Sequence, residues 1–169
     1  MSVAQPEAPA KRLARGAVGG LLTGVVFILI TRWFASSVGD PIDGPLMMIS
    51  TLLRGDAAMA AGTTSVSLGW GVHLALSVGF GIAFALVAPV FKTNGTVAIA
   101  GAVYGGLLYV VNFMILAPIA FPIFKMANQP FEVVVHIVFG FLLALAFFGS
   151  GVRRNEPIIA TRKLAGASR

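Results

Sequence analysis

Four long stretches in which nearly every position is apolar dominate the chain, at about residues 13–34, 68–90, 96–117 and 131–148. Each approaches the ~20 residues that a helix rising 1.5 Å per residue needs to cross a ~30 Å hydrocarbon layer. The alternating segments of about ten residues that mark a transmembrane β-barrel are not seen. The pattern therefore predicts an all-α integral membrane protein with four transmembrane helices. Polar and turn-forming positions set the divisions. Residues 1–12 read as a disordered tail, 13–90 as a first helical hairpin and 96–149 as a second. Asn94-Gly95 marks the turn between them, and residues 150–169 form a basic tail. The first hairpin carries a long outer loop at 36–67, whose apolar segment 46–53 is too short to span and reads as an interfacial helix. The first span is longer than the 7–15-residue core of a usual signal peptide and recurs later in the chain, so it is expected to be retained.

The recurrence is specific. At an offset of 63, Val72 falls on Val135, His73 on His136, Ala83 on Ala146 and Phe84 on Phe147, with small Ser77 on small Gly140. At an offset of 86, Gly19-Gly20-Leu21-Leu22 falls on Gly105-Gly106-Leu107-Leu108 and Phe27 on Phe113; one inserted residue also aligns Gly16 with Gly101. Two hairpins of two helices each insert in the same direction, so the expectation is a parallel repeat about an axis along the membrane normal. Gly16, Gly20 and Gly24 recur every four residues on the first span, as do Gly101 and Gly105 on the third. Their expected role is helix packing, since small residues let helices approach where lipid provides no hydrophobic driving force.

Composition sharpens this reading. Hydrophobic residues make up 57% and charged residues 11%, against roughly a quarter charged in soluble domains, and the mean hydropathy is +0.92. The chain has no cysteine, which excludes disulfides, thiolate metal sites and cysteine nucleophiles. A net charge of +6 would by itself suit a nucleic-acid partner. Its distribution points to lipid: nine of the 12 basic residues fall on the side shared by the two termini and the Lys92 turn. The positive-inside rule then places both termini in the cytoplasm. In topology the chain resembles small four-helix proteins of the bacterial inner membrane, which is the localisation expected.

His73 and His136 are the only histidines and fall at matching depth. A histidine inside a span is costly unless paired, bonded or wetted, which makes the pair a candidate site; the alternative is two packing histidines inherited by duplication. One chemistry available to them is axial ligation of haem b, with Ser77 and Gly140 leaving room for the macrocycle. A copper site using Met47, Met48, Met59, Met114 and Met126 is a further alternative, though no Met-x-x-Met or His-x-His cluster gathers them. Glu132 lies four residues before His136 and could bond its ring. Asn112 falls mid-span and is expected to hydrogen-bond across the bundle. Asp40, Asp43, Arg54 and Asp56 form a loop cluster better read as solvated charge. No hydrolase, phosphate-binding or metalloprotease signature is present. The leading expectation is a non-catalytic accessory subunit that contacts other membrane subunits or a second copy, with a haem module and a small transporter or channel as alternatives.

Overall fold

Each long apolar stretch becomes a helix whose ends are set by local chemistry. The computed structural model describes residues 7–154 together with Glu156 and Ile158, so half of the expected first tail, 1–6, and most of the second, 155, 157 and 159–169, lie outside the described residues. Helix α1 (Pro9–Ser37) carries proline in its first turn, where a missing N–H costs nothing. It begins ahead of the expected boundary because Lys11 and Arg12 are good helix formers and Arg15 donates to Glu7 at 2.9 Å. Helix α2 (Gly44–Arg54) ends at Gly55, whose φ of 81° only glycine adopts readily. A single turn, α3 (Ala57–Ala60), follows. Helix α4 (Val66–Val87) is capped by the Ser65 hydroxyl, which accepts from the Leu68 N–H, and runs into a 3₁₀ turn at Ala88–Val90. Helix α5 (Asn94–Tyr109) opens with a reciprocal Thr93/Thr96 capping box. It widens into a π-helical stretch, Val110–Leu116, and continues as α6 (Ala117–Ala120). After a 3₁₀ segment at Pro122–Met126, Asn128 caps α7 (Gln129–Leu145).

Among the described residues there is no strand. The segments Pro9–Ser37, Val66–Val90 and Asn94–Ala120 are long and apolar enough to cross a membrane, while Gln129–Leu145 is apolar but shorter. Large apolar side chains such as Leu22, Ile99 and Ile119 face outward, a surface suited to lipid.

Backbone proximity defines the packing. Gly16, Gly20 and Gly24 of α1 lie against Gly81 and Ser77 of α4 in descending order, so the two helices run antiparallel. Gly101 and Gly105 of α5 meet Gly140 and His136 of α7 in the same way. Helix α1 also runs antiparallel to α7, from the Arg15 bond to the Ala146 carbonyl to the stacked Phe34 and Phe131 rings. Helices α4 and α5 meet through Phe84 and Tyr104, whose hydroxyl donates to the Phe80 carbonyl at 2.9 Å. Phe84, Val97, Phe139, Leu143 and Phe147 form the core at the end near the chain termini.

The glycine register differs from the one read along the sequence. Ser77 seats on Gly20 and Gly24, and Gly140 on Gly101 and Gly105, which sets the glycines 81 residues apart rather than the 85 that would align Gly16 with Gly101. The difference is about one helical turn. Glycines spaced every four residues offer equivalent notches in consecutive turns, so the sequence alone leaves the choice of notch open.

Helix α2 packs over the opposite end. Leu46, Ser50 and Thr51 are buried, the Leu46 backbone lies against Gly69 of α4, and the Ser50 hydroxyl accepts from the Ser65 N–H. The loop charges separate from one another: Asp43 pairs with Arg32 at 2.8 Å, Asp56 accepts from the Ile123 N–H, and Arg54 bonds the Thr63 carbonyl.

Candidate functional site

Between the α2 end of the bundle and the core lies a partly open cavity of about 370 Å³. Its walls come from α1 (Phe27, Thr31), α2 (Met48, Ile49, Leu52), α4 (Val72, His73, Leu76, Ser77, Phe80), the π-helical stretch (Asn112, Phe113, Leu116), the following loop (Phe121, Phe124) and α7 (Glu132, His136, Phe139). Both histidines, Ser77, Asn112 and Glu132 therefore share one space. Gly140 and the glycines of α1 and α5 do not line it. A Cβ at Gly16, Gly20, Gly101, Gly105 or Gly140 would instead meet the backbone of a neighbouring helix.

Each imidazole is fixed by its own backbone bond. His73 Nε2 lies 2.9 Å from the Gly24 carbonyl and His136 Nδ1 lies 2.7 Å from the Glu132 carbonyl. A carbonyl only accepts, so each of these nitrogens carries the proton, leaving His73 Nδ1 and His136 Nε2 as acceptors. Phe27 packs against both rings, with centroids 5.3 Å from His73 and 5.0 Å from His136. Tyr109 and Phe113 meet His136 edge-on at 6.0 and 5.4 Å.

The expected Glu132–His136 contact forms through the main chain. The Glu132 carboxylate stands 3.6 Å from His136 Nδ1, beyond a good hydrogen bond, because the carbonyl one turn back reaches the ring first. Asn112 makes no side-chain hydrogen bond among the described residues: Tyr104 bonds Phe80 and Tyr109 bonds Gln129. The helix widening at Val110–Leu116 carries Asn112 to the cavity wall, and π-helical turns of this kind recur at functional sites.

The arrangement does not fit a bis-histidine haem. Axial ligation needs both imidazole lone pairs aimed at one iron across a flat macrocycle. Here His73 Nε2 is committed to Gly24 and Phe27 packs against both rings. Ser77 and Gly140 seat α1 and α5. Nor do thioethers converge on the histidines: of the described methionines only Met48 lines the cavity, while Met114 and Met126 face outward. Among the described residues no three histidines or carboxylates gather at metal-binding distance.

Thr31, Ile49 and Leu52 are cavity residues that sequence reading did not single out, and Phe27 and Phe113 entered it only as an equivalent pair in the repeat. The one available signal was the pairing of Phe27 with Phe113 in the repeat, since both now touch His136. Comparison with known proteins finds no matching protein family, no matching curated protein and no matching solved structure.

Proposed function

We propose that this chain crosses the bilayer four times as two helical hairpins, with both termini cytoplasmic, and binds a lipophilic small molecule in the cavity between the hairpins. The 17 residues of α7 extend about 25 Å, and the turn that follows completes a span. The antiparallel glycine contacts of α1 with α4 and of α5 with α7 favour a duplicated hairpin. Helix α2 then lies at the outer interface, with its apolar face turned onto the bundle.

The observation that carries the functional reading is the cavity itself. It falls within the ~300–1,000 Å³ usual for ligand sites, with apolar walls and a few convergent polar groups. An accessory subunit would need only its outer helix faces. The cavity moves the weight to a binding protein, and the missing catalytic signatures keep the reading non-enzymatic.

The test is saturable binding of an environment-sensitive lipophilic fluorophore to the full chain in nanodiscs, measured against empty nanodiscs. Leu76→Trp places an indole into the cavity wall and is expected to weaken binding at least about tenfold, an effect of one to two kcal/mol, with an unchanged melting temperature. Equal binding by empty nanodiscs, or by a folded Leu76→Trp protein, would refute the reading.

A further inference from the structure

The polar side chains of the cavity are Thr31, His73, Ser77, Asn112, Glu132 and His136, and their hydrogen bonds leave an uneven complement. The Thr31 hydroxyl donates to the Ile28 carbonyl at 3.0 Å and the Ser77 hydroxyl to the His73 carbonyl at 2.8 Å. Both histidine protons are committed to Gly24 and Glu132 carbonyls. One donor group remains, the Asn112 amide. The remaining acceptors are the Thr31 and Ser77 hydroxyl oxygens, the Asn112 oxygen, one lone pair on each imidazole and the Glu132 carboxylate.

Among the described residues no lysine or arginine lines the space. Arg32, the nearest basic residue along α1, is paired with Asp43. Among the described residues Glu132 is thus the one ionisable acid in an apolar cavity, and its side chain is only 15% exposed. The rings of Phe27 and Phe113 beside His136 add quadrupoles that attract positive charge.

We infer that the ligand is a lipophilic cation, a protonated amine with an apolar body, whose N–H groups meet Glu132 and the imidazole acceptors while its body packs on the phenylalanines. A carboxylate ligand would find one amide donor and a like charge. A neutral ligand would leave the acceptors and the carboxylate unmatched. The inference rests on the cavity being a ligand site, and the experiment separates the two.

Three probes matched in shape, an arylalkyl amine, its neutral arylalkane isostere and the corresponding carboxylate, compete against the fluorophore on the full chain in nanodiscs, with partition into empty nanodiscs subtracted. The amine is expected to compete about tenfold better than the alkane and the carboxylate worst, an order set by charge pairing and cation–π contact. Glu132→Gln should bring the amine down to the level of the alkane without changing the alkane, and Glu132→Asp should restore the preference. Equal competition by amine and alkane, or a preference unchanged in Glu132→Gln, would overturn the cation while leaving the lipophilic site standing. Absence of saturable fluorophore binding would overturn the site itself.

Discussion

A Cβ on Gly105 would collide with the His136 carbonyl, whereas one on Gly106 would meet only Ile137 Cγ1 at 3.9 Å. Two neighbouring glycines on one helix thus carry different weight. Gly105→Ala is expected to destabilise the protein by about 1–3 kcal/mol, the usual cost of overpacking, and Gly106→Ala to be tolerated; thermal unfolding of the two purified variants checks this directly. Both glycines stand out in the sequence as part of the repeated Gly-Gly pair, but their inequality does not. It depends on the azimuth at which α7 meets α5. The histidines behave alike: their isolation in apolar spans was evident along the chain, while the direction of each ring proton required knowing which carbonyl lay opposite.

At the scale of elements, the helix ends near the termini are held by one buried arginine. Arg153 donates Nε to the Phe147 carbonyl at 3.1 Å, Nη1 to the Ala88 carbonyl at 3.1 Å and to the Phe91 carbonyl, and Nη2 to Ser150 Oγ. A guanidinium therefore satisfies carbonyls left over at the ends of α4 and α7, where positive charge also suits the helix dipoles. Burial lowers its pKa from the ordinary value, and the carboxylates of Glu156 and Glu7 act in the opposite direction. Arg153→Ala should cost about 1–3 kcal/mol by leaving buried carbonyls unbonded. Arg153→Lys should recover only part of that, because an ammonium lacks the planar fork. Chemical or thermal melts of both variants decide it. Along the sequence Arg153 belongs to a run of basic residues read as a lipid-facing tail, and nothing local marks it as buried. The helices themselves were legible, since their apolar runs and caps are local features. The π-helical stretch was not: Val110–Leu116 contains no proline or glycine to announce a distortion.

At the scale of the whole molecule, the α1–α4 and α5–α7 pairs both pack through glycines and differ in what lies at the α2 end. The position equivalent to Glu132 in the first half is Gly69, and Gly69 lets the α2 backbone close onto α4. The first half thus supplies a cover and the second a carboxylate, both bordering one cavity. The proposed topology has a simple test in a chain without cysteine. Gly62→Cys, ahead of α4, should react with a membrane-impermeant maleimide in intact cells, and Thr93→Cys, ahead of α5, only after the membrane is broken. Labelling of both from the same side would contradict a span between them.

The sequence by itself determined that the protein is helical and apolar enough for lipid, where its long helices fall, and which small residues can bring helices together. These follow from hydropathy and from local start and stop chemistry, which act over a few residues. Only the tertiary structure decided that Asn112, Glu132 and both histidines border one cavity, that Phe27 packs against both imidazoles, and which turn of the glycine ladder is used. These depend on the azimuth and register between helices, set by the summed packing of side chains from several helices, and no single stretch of the sequence encodes that sum.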